Sequence, residues 1–254
     1  MNLITLTEEN LGSEHICCAI SNNNDIQVAS KKSWLRDRIK EGLVFTKGDV
    51  RGKCFIEYIP AEFAWAPIEA PDYMYIDCLW VSGQFKGKGY SNELLESCIN
   101  DSKTKNKKGL VVLSFKKKLA FLSDPKFLQH KGFILADEAN PSFELMYLPF
   151  KQNAYVPKFM HQVKEPKIKE QGFVVYYSSQ CPFTAKYVPL IEAVAKAKNV
   201  KFKAIHFESS KEAQNAPAAV TSFCLFYNGE YVTNEIPSEK KFEKMIDEKV
   251  GEIN

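Results

Sequence analysis

The chain has 254 residues, 45% of them apolar and 26% charged, with a formal net charge of +3. That is room for two globular domains with sizeable cores, and the charge is too small to argue for a nucleic-acid or membrane partner. The seven cysteines, at 17, 18, 54, 78, 98, 181 and 224, show neither CxxC nor zinc-ligand spacing. No metal site is expected, therefore, and reduced thiols in a cytoplasmic setting are. The opening "MNLITLTEENLGSEHICC" has no basic leader or long apolar run, and no segment approaches the ~18 apolar residues of a membrane span.

In chain order, residues 28–43 place Val28, Trp34, Leu35, Ile39 and Leu43 roughly on one face of an amphipathic helix. "LVFTKGDVRGKCFIEYIP" reads as strand, turn near Lys47–Gly52, strand. A proline-broken connection leads to "YMYIDCLWV", 73–81, apolar throughout except Asp77 and so a central strand. A helix with Leu94, Leu95, Cys98 and Ile99 on one face follows over 90–101, then a strand at 109–115. A short helix around Pro125–Lys131 ends at Gly132, and two strands flank Asn140–Pro141. Residues 151–170, with prolines, many charges and weak periodicity, read as a linker or arm between a domain at 1–150 and another at 171–254. The second domain runs strand, loop, helix (about 183–198), strand, then a hairpin on Asn228–Gly229 and a terminal helix capped by Ser238.

"SGQFKGKGYSNELLESCIN", 82–100, concentrates three glycines between a strand and a helix. Unpaired N–H groups at a helix start, with the helix dipole, favour an anion there, and glycines let backbone approach it. The stretch is not a Walker A motif, and a dinucleotide fingerprint would open a parallel βαβ unit rather than follow antiparallel strands.

"YIDCLWVSGQFKGKGYSNELLESCI" resembles the acetyl-CoA signature of the GNAT acetyltransferases, with Gln84, Gly87 and Gly89 as its Gln-x-x-Gly-x-Gly. The strand at 109–115 and "PKFLQHKGF" continue the resemblance, which covers roughly residues 1–150. It implies an α/β (α+β) mixed sheet flanked by helices and acetyl-CoA as co-substrate. The backbone of Leu79, Trp80 and Val81 would pair with the pantetheine arm. The amides of Lys86, Gly87, Lys88, Gly89, Tyr90 and Ser91 would hold the pyrophosphate. The acetyl group would pass directly to an amine, either a small molecule's or a protein's. Direct transfer needs an unprotonated amine, and a carboxylate can remove its proton. Asp77 is the first candidate, with desolvation raising its pKa; Glu57 is the second. Leu128 and Phe121 stand where the family often has tyrosine and asparagine, which leaves His130, Tyr147 or water to protonate the leaving thiolate.

In the second domain, Cys181-Pro182-Phe183-Thr184 at a helix start, Pro189, and the last hairpin resemble a thioredoxin-like fold. A helix N-terminus lowers a thiol's pKa, which makes Cys181 a redox candidate. Thr184 and Thr221 replace the second cysteine and the cis-proline. The pairing of the two modules is similar to the YoaP-type bacterial acetyltransferases, whose C-terminal part is the YoaP-like domain. The reading is an N-acetyltransferase. Its alternatives are an acyl-CoA-binding or thiol-sensing protein and a single-cysteine thiol oxidoreductase. The resemblance fixes neither the acceptor nor the oligomeric state.

Overall fold

The structure is a computed structural model and describes residues 1–251. The first unit comprises β1 (Leu3–Thr5), α1 (Ile26–Lys40), β2 (Val44–Gly48), β3 (Cys54–Pro60), β4 (Ile68–Glu69), β5 (Tyr73–Val81), α2 (Tyr90–Thr104), β6 (Gly109–Phe115), α3 (Pro125–His130), β7 (Ile134–Ala139) and β8 (Phe143–Pro149). Its seven-stranded sheet has the order β1-β2-β3-β5-β6-β8-β7 and is antiparallel except where β5 runs parallel to β6. Alternation along the strands divides the core in two. Ile56, Tyr58, Met74, Ile76 and Val112 pack with Leu94, Leu95 and Cys98 of α2. Phe45, Phe55, Tyr75 and Leu113 pack on the other face with Trp34 and Leu35 of α1.

Two departures from regularity shape β5. Glu57 pairs with Cys78 and Tyr58 with Ile76, so Asp77 is the extra residue of a β-bulge. A bulge interrupts the period of two. Cys78 and Trp80 therefore pack toward the α1 side, and Leu79 and Val81 toward the α2 side. The pairing of β5 with β6 stops at Ile76–Val112, while β6 continues with β8 to Phe115–Phe143 and β5 with β3 to Val81–Cys54. The two central strands splay, and the edge of β5 beyond Ile76 has no strand beside it on the β6 side.

The expected linker is a docked arm. Within it β9 (Lys158–Phe159) pairs with β4, Met160 donates its N–H to the Pro67 carbonyl, and Tyr73 donates its hydroxyl to the Tyr155 carbonyl at 2.7 Å. The second unit follows as β10 (Phe173–Tyr177), α4 (Pro182–Ala197), β11 (Phe202–His206), α5 (Ser210–Gln214), β12 (Phe223–Tyr227), β13 (Glu230–Thr233) and α6 (Glu239–Gly251). Its sheet order is β11-β10-β12-β13, with only the β10–β11 pair parallel. Asn228 and Gly229 both have positive φ, 48° and 89°, which a two-residue type I′ hairpin turn requires. Ser238 caps α6 through its Oγ and carbonyl; residues 252 and 253, expected to continue this helix, lie outside the described residues.

The two units share a core. Phe207, Ala213, Ala216, Ala219 and Val220 belong to the same apolar cluster as Trp34, Phe55 and Trp65. Thr221, at the position otherwise expected to hold a cis-proline, donates its hydroxyl to the Trp65 carbonyl. Gln214 donates to the carbonyls of Glu62 and Ala64, both at 3.1 Å.

Candidate active site

A cavity of about 580 Å³ opens between the splayed strands and is closed on its far side by the second unit. At one end lies the glycine-rich loop. A 3-10 turn over Gly83–Phe85 redirects the chain out of β5, and Gly89, at φ 82°, is the N-cap of α2. A Cβ placed on Gly87 or Gly89 would meet no atom within 4 Å, so open space lies before the helix start. Phe85, Lys86, Gly87, Gly89, Tyr90 and Ser91 line that space, and Leu79, Trp80 and Val81 line the passage inward. Gln84 and Lys88 are exposed and do not line the cavity; the 3-10 turn and the following glycines aim them outward. The opposite wall is the segment Lys118–Asp124 before α3, with Phe127 beyond it. Free helix-start amides, the cavity-lining Lys86 and an unpaired strand edge fit a phosphate-bearing, amide-bearing chain such as coenzyme A.

At the inner end the bulge presents Asp77. Its Oδ1 accepts a 2.7 Å hydrogen bond from Nε2 of Gln180, a residue 103 positions away at the mouth of α4. Its Oδ2 is shielded from solvent and has no partner. Burial, reinforced by the negative Glu57 and opposed by Lys31, pushes the Asp77 carboxyl well above the usual carboxylate range. Glu57 also lines the cavity, but its carboxylate is engaged: Oε1 is 2.7 Å from Nζ of Lys31, with both side chains almost fully buried at 2% and 1% exposure. Burial pushes the Glu57 carboxyl up, and Lys31 opposes this.

The second unit contributes Gln180, Cys181, Pro182, Phe183 and the strip Ala219–Ser222 to the cavity wall. The ring of Phe183 meets that of Phe121 edge to face at 6.5 Å, across the junction of the units. Cys181 is the N-cap of α4, where the dipole and the N–H groups of Phe183 and Thr184 favour a thiolate. Burial outweighs them, and the thiol is pushed up to about 11 rather than down. Cys18 and Cys78 line the same cavity, and burial raises both thiols too. Cys17 is packed in the core, whereas Cys18 also faces the cavity. Leu128 is buried in the core under α3, His130 is exposed, and neither it nor Tyr147 reaches the cavity. Among the described residues no group of His, Cys, Asp and Glu is arranged to hold a metal ion, and no helix is long and apolar enough to cross a membrane.

The residues that sequence reasoning missed as site members are Gln180, Phe183, Thr221 and Ser222. Their signal was present in part: the segment from Cys181 to Thr184 stood out, but only as thiol chemistry internal to the second unit.

A mixed sheet splayed at a bulged central strand, with a glycine cradle at the start of the next helix and a carboxyl in the gap, is the architecture of a GNAT-type N-acetyltransferase. The chain is 45% identical over 247 residues to the uncharacterized N-acetyltransferase YoaP of Bacillus subtilis, covering 97% of this chain and 98% of that one. Residues 201–244 match the YoaP-like family. Among solved structures, the PaiA N-acetyltransferase of Thermoplasma acidophilum with coenzyme A is 14% identical, with TM-score 0.40, covering 59% of this chain and all of that one. A GNAT acetyltransferase of Brucella melitensis with acetyl-CoA is 11% identical, with TM-score 0.38, covering 61% and 90%. The chain belongs to the YoaP family of N-acetyltransferases.

Proposed function

We propose that the protein transfers the acetyl group of acetyl-CoA to an amine held against Asp77, and that the second unit, a thioredoxin-like module by its strand order, serves as a wall of that site. The observation that carries this is the position of Asp77 in the bulge, where it lines the cavity that also holds the glycine cradle and keeps an unpartnered, shielded Oδ2. Bound acetyl-CoA supplies a thioester whose carbonyl carbon the amine attacks. Leu79–Val81 bind the pantetheine along the free strand edge; Lys86, Gly87, Gly89, Tyr90 and Ser91 bind the pyrophosphate, and Gln84 and Lys88 stand outside the cradle. As the C–N bond forms and the C–S bond breaks, Asp77 takes the amine proton; the departing thiolate takes one from solvent, since Leu128 stands where the family often has its tyrosine. Glu57 acts through charge, by holding Lys31 and keeping Asp77 basic, rather than by touching the amine. A raised thiol at Cys181 speaks against the oxidoreductase alternative, because the thiolate is the reactive species. The seven free cysteines suit a reducing, cytoplasmic setting.

The test is an amine-panel assay that follows free CoA and acetylated product together. Wild-type turnover with at least one amine, and its loss by two or more orders of magnitude in Asp77→Asn with acetyl-CoA binding retained, is expected. A fully active Asp77→Asn enzyme would remove Asp77 as the base.

A further inference from the structure

We infer that the acceptor is a small monoamine without a carboxylate, carried on an apolar, ring-sized body. This deepens the transferase reading and rests on it. The charges at the inner end of the cavity decide it. Asp77 offers an unpartnered, shielded Oδ2, while Gln180 fixes the other oxygen and so the plane of the carboxyl. A buried polar atom without a partner is unfavourable, and an amine nitrogen supplies the missing N–H, either as ammonium on a carboxylate or as amine on a carboxylic acid. Among the described residues at that inner end, no cation is free to receive an acceptor's own carboxylate. Lys31 is engaged by Glu57, and Lys53, held over the Trp80 ring at 4.0 Å, does not line the cavity. An α-amino acid would bury an unpaired carboxylate, which is strongly unfavourable.

The same inventory argues against a polyamine. A second ammonium would find no unspent carboxylate: Glu57 has its lysine, and Asp124 caps α3 and pairs with Lys118 at 3.2 Å. The walls around Asp77 are instead apolar and aromatic, with Phe55, Tyr75, Trp80 and Phe183 among them. A protein amine is disfavoured by the cover. The Gln180–Asp77 bond, the Thr221–Trp65 bond and the Phe121–Phe183 contact all cross the junction between the units and hold the second unit over the inner end. Within about 580 Å³ that must also take the end of the pantetheine arm, the room left is that of one small molecule.

The experiment is calorimetric titration of the CoA-loaded full chain with four probes: 2-phenylethylamine, phenylalanine, spermidine and a lysine-containing peptide. The first is expected to bind at least tenfold more tightly than each of the others, and at least tenfold more weakly to Asp77→Asn than to wild type. Equal or tighter binding of phenylalanine, spermidine or the peptide overturns the inference, as does equal binding to Asp77→Asn or binding of none of the four. Acetyl transfer from acetyl-CoA is measured alongside on the same probes. Selective binding of 2-phenylethylamine without transfer leaves the pocket assignment standing and removes the transferase reading. Transfer to phenylalanine or the peptide instead leaves the transferase and removes this acceptor class.

Discussion

Asp77 sits where β5 breaks its own alternation, and the consequence runs through its proton. Native burial holds this carboxyl above its unfolded range, so between the two values the folded state binds the extra proton. Its contribution to stability therefore falls as pH rises through that window. Asp77→Asn should accordingly be more stable than wild type at pH 8, with the advantage shrinking toward pH 4; chemical denaturation at both pH values checks this. An advantage that grew toward acid would reverse the assignment. Turnover should move the opposite way, because the base must be ionised: activity rises with pH along an acid limb well above the ordinary carboxylate range, to be read from the pH profile of kcat/KM. The Lys31–Glu57 pair gives a second prediction. Removing one partner of a buried ion pair costs about 3–5 kcal/mol, while replacing both with apolar residues is often neutral. Lys31→Met should lose about that much in urea unfolding, and Lys31→Met with Glu57→Leu should recover most of it. A single variant as stable as wild type would mean that the pair is not buried as described.

At the scale of elements, the same local rules set both the ends of β5 and the turn at Asn228–Gly229. A Cβ on Gly229 would stand 2.7 Å from the Ile168 carbonyl oxygen, at a φ of 89°. Gly229→Ala should therefore destabilise by roughly 1–3 kcal/mol, measurable as a lowered denaturation midpoint; a neutral result would show the hairpin and the arm to be loosely joined. Features of this kind were legible in the sequence. Largely apolar runs marked β5 and β6 to the residue, glycines and prolines marked their ends, and the asparagine-glycine pair marked the hairpin. The two-residue strands β4 and β9 were not, because neither has a pattern of its own and each exists only by pairing with the other. Nor was the state of Cys181. Its position at a helix start is a local signal, whereas the burial that overrides it comes from residues far away in sequence.

For the whole molecule, the shared core and the crossing hydrogen bonds fasten the second unit against the cavity of the first. Nothing in the sequence signals that Gln180 and Asp77 meet, because nothing local couples positions 103 apart. Units joined by a common apolar cluster should unfold together. Far-ultraviolet circular dichroism and tryptophan fluorescence, which reports Trp34, Trp65 and Trp80 in the first unit, should give coincident thermal transitions; two separated transitions would show the units to be independent.

The central claim is that the loop at 82–91 is a cradle for acetyl-CoA within this two-unit site. It is tested most directly by calorimetric titration of acetyl-CoA into wild type and Gly89→Glu. The substitution puts a carboxylate where the phosphates would lie, at a backbone φ of 82° with open space around it. A saturable wild-type isotherm with affinity at least tenfold weaker in Gly89→Glu, about 1.4 kcal/mol, is predicted. Equal affinity in the two proteins would contradict it.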